Sequence, residues 1–401
     1  MDEKDNSIEI TEVPIHRRGE EIKQPKHDGL FIATCATYLV ILLSFVALRI
    51  SVGLGMYDLL GDTWGDVFFS VVSQVLIMTI FPIIGMYIYR KKRKQEAITF
   101  AEFVNEGKKR DSGIWSFFGF KVPSWSLVAW AVLLGLLCFF FNMFVASLFS
   151  IFLNIFGHRG AAGGGAAGGM TIDTVWGLLL VLVLTAVLPG FCEEVSHRGL
   201  LLRGFAGRLG ILKAIALSSL LFGLMHMNIV QFFYAAILGY IMCVAVVASR
   251  NIWVGIIIHF MNNAVGTYLF WAMHHNWFGG DFLVLLSSFA EGLLFFVFLI
   301  GLYFWIVSII HKFAKQNFIN DHKHSEVPPK LHPSKGMAAI KYYISMGENN
   351  NDITYQKDKW GFPSAKGSWF AGLGALEKTL LCGVLFLGTV VTVMTFIWGI
   401  L

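Results

Sequence analysis

Nine stretches of this chain are longer and more apolar than the core of a water-soluble domain requires: residues 30–52, 67–89, 124–152, 172–205, 211–226, 229–248, 252–272, 282–310 and 376–400. Crossing a hydrocarbon layer ~30 Å thick at about 1.5 Å per helical residue takes roughly 20 apolar residues, and most of these stretches reach that length. Inside lipid every backbone N–H and C=O must be satisfied within the protein, so only helices or closed barrels can span it. The polar alternation that barrel strands need is missing. With 56% hydrophobic and 14% charged residues over 401 positions, the chain is predicted to be all-α: a polytopic transmembrane helix bundle of about nine membrane helices.

Lysine and arginine set the orientation, because basic residues are retained on the cytoplasmic side. A cytoplasmic N-terminus puts 29 of the 31 basic residues inside, in 1–29, 90–121, 198–213, 249–251 and 311–378, and leaves only Arg49 and Arg159 outside. Those inner segments can attract anionic lipid, so the net charge of +5 calls for no nucleic-acid partner. The chain then divides into a polar cytoplasmic tail (1–29), two membrane helices with a basic loop (30–123), a helical core (124–272), a further membrane helix (273–310), a cytoplasmic loop (311–375) and a last membrane helix (376–401). The first 29 residues are too polar for a signal peptide, and the Gly/Ala run 160–169 reads as a linker. No organelle address is recognisable, so a bacterial plasma membrane is the expected location. The five cysteines show no C-x-x-C pairing, which suggests neither a disulfide framework nor a thiolate metal site.

Chemistry concentrates at "FCEEVSHRGLLLRG", residues 191–204. A carboxylate in a membrane helix costs a few kcal/mol, which makes it a functional candidate by default. Glu194 and Arg198 are four apart with the acid first, the favourable order for an ion pair on one helix face. Glu193, rotated by about 100°, is left to address the bundle interior and a water, although His197, four residues on, could occupy it instead. Counting about 1.5 Å per residue from the inner turn puts Glu193 at about 20 Å and His226, on the next helix, at about 22 Å. His259 comes at about 11 Å and Asn263, four residues on and on the same face, at about 17 Å. An acid, two histidines and an amide thus converge from three helices.

These residues resemble a known family. "EEVSHR" is similar to the E-E-x-x-x-R motif, "FGLMH" to F-x-x-x-H and "HFMNN" to H-x-x-x-N of the CAAX prenyl protease 2 family, also called the CAAX protease and bacteriocin-processing family. All three occur in family order, and the resemblance covers about 124–272. It implies an intramembrane endopeptidase with a cytoplasm-facing site. In it Glu193 activates the attacking water, His226 helps hold that water, His259 and Asn263 stabilise the oxyanion, and Glu194 and Arg198 support the site. Its substrate would be a peptide or membrane protein of CAAX or leader type. Glu193, His226 and His259 could instead form a two-His, one-carboxylate zinc site that acidifies a bound water.

Other intramembrane protease plans fit poorly, since no H-E-x-x-H, rhomboid serine motif or G-x-G-D is present. Two readings without proteolysis remain: an immunity or scaffolding membrane protein, and a transporter that uses the buried acid and histidines as a proton path. No convincing internal repeat supports the transporter.

Overall fold

A computed structural model describes residues 29–94, 118–158, 174–281, 294–321, 331–346, 355–357, 363–365 and 373–400. The tail up to residue 28, most of the basic loop (95–117), the Gly/Ala run and residues 282–293 lie outside the described residues. Helix α1 spans Gly29–Gly53, and a short α2 (Met56–Leu60) turns the chain. Helix α3 runs from Asp62–Ser70 through a π-helical stretch, Val71–Ile80, into Phe81–Lys94. Next come α4 (Trp125–Ile155), α5 (Val175–Leu209), α6 (Ile211–Met225), α7 (Ile229–Ser249) and α8 (Ile252–His274). Helix α9 (Leu294–Asp321) continues past residue 310. A short α10 (Met337–Met346) and an antiparallel pair of three-residue strands, β1 (Tyr355–Lys357) and β2 (Pro363–Ala365), precede α11 (Ala375–Ile400). The protein is an all-α polytopic bundle; that small hairpin is the one departure among the described residues.

Eight of these helices are long and apolar enough to cross a membrane. The ninth expected span, α6, is 15 residues. At about 1.5 Å per residue it rises only about 22 Å, short of the ~30 Å hydrocarbon layer. Were α6 to start upright from one face of such a layer, the turn that follows it, His226 to Asn228, would lie at membrane depth, where the first N–H groups of α7 cannot turn to water. Protein groups satisfy them instead. Asn228 Oδ1 accepts from Val230 N (2.8 Å) and Gln231 N (3.1 Å), and Thr395 Oγ1 of α11 accepts from Ile229 N (2.9 Å). A Thr395→Val protein is expected to lose about 1–3 kcal/mol of stability, the usual penalty for a buried donor left unsatisfied. A denaturant titration in detergent indistinguishable from wild type would show that the cap contributes nothing.

Helix α11 also meets the core at its other end. Glu377, fully buried, accepts from Arg208 Nη2 of α5 (3.0 Å) and from the backbone of Gly374 (2.6 Å), which places an acid in the first turn of α11. Below α8, the segment Phe118 to Lys121 folds back across the bundle. Gly119 O accepts from Ile252 N (3.2 Å), and Asn251 caps α8 while its amide reaches Lys121 O (3.2 Å). All five cysteines are free thiols, four of them buried.

Candidate active site

Helix α5 carries the acids, and it is irregular where it does so. Two π-helical stretches, Val183–Val187 and Val195–Leu201, flank the regular turns Leu188–Glu194. Pro189 accounts for part of this: it has no N–H to give the carbonyl four residues back, that of Thr185. Asn263 Nδ2 of α8 donates to that oxygen at 2.8 Å, while Asn263 Oδ1 accepts from Asn262 at 2.9 Å. Just after Pro189, a Cβ on Gly190 would stand 3.2 Å from the backbone of Phe260, so α5 and α8 approach here as near neighbours. This approach brings His259 to the two acids.

Glu194 is fully buried. Its Oε1 receives Arg198 Nη1 at 2.5 Å, the i,i+4 ion pair expected from spacing, and His259 Nδ1 at 3.1 Å. A carboxylate can only accept, so the imidazole donates from Nδ1 and turns Nε2 toward the neighbouring acid. His259 Nε2 lies 3.9 Å from Glu193 Oε2. Arg198, also fully buried, donates from Nη2 to Gly239 O (3.0 Å) and lies over the Phe222 ring, 4.6 Å from its centroid. It is thereby fixed from three sides.

Glu193 is 6% exposed. Its Oε1 accepts from Gln74 Nε2 of α3 at 2.9 Å, and its Oε2 is buried with no hydrogen-bond partner. His197 does not occupy it. That ring donates from Nδ1 to the backbone oxygen of Glu193 (2.8 Å) and meets the Tyr38 hydroxyl through Nε2 (2.9 Å). His226 donates from Nδ1 to Phe222 O (2.8 Å), which leaves Nε2 without a hydrogen bond among the described residues. The Phe222 ring sits among the three imidazoles, with centroid separations of 4.9 Å to His197, 5.1 Å to His226 and 5.6 Å to His259, all near edge-on.

The structure thus joins Glu193, Glu194, Arg198 and His259 directly and brings His226 in across the Phe222 ring. Asn263 makes no hydrogen bond to either glutamate; its amide serves the carbonyl beside the Pro189 irregularity. Gln74 and Tyr38 lie outside every motif, and Phe222 enters only as the first residue of F-x-x-x-H. Gln74 had a readable signal, the one amide side chain in "VVSQVLIM", whereas Tyr38 had none. Among the described residues no group of three or more His, Cys, Asp or Glu side chains is arranged to hold a metal ion. The trio Glu193, His226 and His259 does not fit a ready three-ligand zinc site.

No curated protein and no solved structure matches this chain. A family model does, over residues 175–265: type II CAAX prenyl endopeptidase, Rce1-like. That interval holds Glu193, Glu194, Arg198, His226, His259 and Asn263, so the resemblance of the three motifs to the CAAX prenyl protease 2 family holds over the segment in which the acids and histidines meet.

Proposed function

We propose that this multi-pass membrane protein is an endopeptidase in which Glu193 activates water for attack on a peptide bond. The observation that carries this reading is the buried Glu193 Oε2, an acceptor without a partner, 3.9 Å from His259 Nε2. A water placed there can donate to Oε2 and attack a carbonyl carbon as its proton passes to the carboxylate. His226, with Nδ1 committed to Phe222 O, offers Nε2 to hold that water or the carbonyl oxygen. His259 is held by Glu194 so that a protonated ring would direct its Nε2–H at developing negative charge. Asn263 supports the oxyanion side by fixing the α5–α8 approach, and its remaining amide hydrogen is the group it can offer there. Arg198 holds Glu194 in place beside these groups through their ion pair, without itself reaching the reacting atoms. After the C–N bond breaks, Glu193 returns its proton to the departing amine.

The distribution of basic residues supports a cytoplasmic N-terminus and a site reached from the cytoplasm, as in a bacterial plasma membrane. A CAAX-type C-terminus or a leader peptide is the substrate class that the family match supports. The test is a panel of quenched CAAX-type and leader-type peptides presented to purified protein in detergent. Wild type is expected to cleave at least one, with Glu193→Ala and His226→Ala each lowering turnover by about 10²–10⁴-fold. Turnover that survives both substitutions in folded protein would remove the site assignment. Zinc content that tracks activity across the same variants would restore the metal mechanism.

A further inference from the structure

Three buried acceptors at this site, Gln74 Oε1, Glu193 Oε2 and Glu194 Oε2, lack a partner, and the first two belong to one contact. Gln74 donates from Nε2 to Glu193 Oε1, so its amide is oriented: a carboxylate cannot donate, and the nitrogen must face it. The other ends of the two groups, Gln74 Oε1 and Glu193 Oε2, are both buried and both lack a partner. Gln74 is 8% exposed. An unsatisfied buried acceptor costs on the order of 1–3 kcal/mol, so two of them on one hydrogen-bonded pair of side chains call for a donor, and a donor with two hydrogens can serve both. Water has two hydrogens to give, and a buried water typically makes about three hydrogen bonds.

We propose that Gln74 belongs to the hydrolytic centre: its Nε2 fixes the Glu193 carboxylate by one oxygen, and its Oε1 accepts from the same water that Glu193 Oε2 deprotonates. The inference rests on the endopeptidase reading above. In the step itself, one O–H proton moves to Glu193 Oε2 while the oxygen forms its bond to the scissile carbonyl carbon. The second O–H stays on Gln74 Oε1, which aims the attacking lone pair. When the tetrahedral species collapses, the C–N bond breaks and the proton on Glu193 passes to the amine, so both side chains are regenerated. A purely structural role, pinning α3 to α5, accounts for less. Ser196 Oγ already ties the two helices by donating to Met78 O at 2.6 Å, and pinning would leave Gln74 Oε1 unexplained.

The experiment uses the full chain in detergent and a peptide that wild type cleaves. Gln74→Met keeps the length and removes both polar atoms, Gln74→Asn keeps an amide one methylene shorter, and Ser196→Ala cuts only the other tie. Losing a hydrogen bond to a charged group should lower kcat about ten- to hundredfold in Gln74→Met, with KM within about twofold. Gln74→Asn should fall between Gln74→Met and wild type, and Ser196→Ala should stay near wild type. Wild-type kcat in Gln74→Met, with Glu193→Ala inactive, overturns this inference alone. Equal losses in Gln74→Met and Ser196→Ala overturn it in favour of helix pinning. Should Gln74→Met fail to fold, wild-type kcat in Gln74→Asn overturns it. A wild-type protein that cleaves no peptide removes the endopeptidase reading and this inference together.

Discussion

An Arg198→Met protein is expected to unfold about 3–5 kcal/mol more easily than wild type, because it strands a buried carboxylate. Both partners of the Arg198–Glu194 pair are fully buried. Removing the guanidinium leaves Glu194 with His259 alone, leaves Gly239 O without its donor and empties the face of Phe222. The double variant Arg198→Met/Glu194→Gln should recover part of the loss, since the stranded charge goes with the partner. Glu193→Gln should behave in the opposite way. Its Oε2 makes no hydrogen bond to a side chain and faces His259 Nε2 only at 3.9 Å, so neutralising it should hold or raise the unfolding midpoint while turnover falls by about 10²–10⁴-fold. The two adjacent acids are thereby separated into one that holds the site and one that works in it. Equal destabilisation by Glu193→Gln and Arg198→Met in a denaturant titration would contradict that division.

The second large effect is expected at Gly255. A Cβ there would stand 2.5 Å from Glu194 Oε2 and 2.8 Å from Val246 Cγ2, closer than real Cβ contacts come. Neither neighbour can yield freely, since Glu194 is held by Arg198 and His259 and Val246 is 3% exposed. Gly255→Ala should therefore cost about 1–3 kcal/mol of stability through overpacking. It should also push the Glu194–His259 pair out of register, with a loss of turnover of at least about tenfold. Gly383→Ala on α11 is the matched control: nothing lies within 4 Å of its Cβ, and the change should be neutral or stabilising by up to about 1 kcal/mol. Gly255→Ala protein that matches wild type in both melting and turnover would show that α8 can shift without consequence.

Local periodicity made the membrane helices readable, and spacing made the Glu194–Arg198 pair readable, because both depend on residues within one or two turns. The depth estimates were less faithful. Counting residues put His259 at about 11 Å against about 20 Å for Glu193, yet its ring touches both acids. Counting assumes upright, regular helices, whereas α5 holds 35 residues and two π stretches, and a helix that long must tilt or extend beyond a ~30 Å layer. Gln74 lies 119 positions from Glu193 and Tyr38 lies 159 from His197. Pairings that distant are set by which helices pack together, and no single segment encodes them. Asn263 shows the same limit. Its place one turn from His259 was legible, but its engagement with Thr185 O became visible only with the Pro189 irregularity in three dimensions.

The hold of α11 on the turn after His226 has a consequence for the order in which the protein matures. Glu193, His226 and His259 leave the ribosome well before Thr395 and Glu377 exist. Until then Ile229 N has no hydroxyl to donate to, and Arg208 has no Glu377. The turn after His226 is therefore locked only once the last helix has been made, so a nascent chain can enter the membrane before the neighbourhood of Glu193, His226 and His259 is fully held.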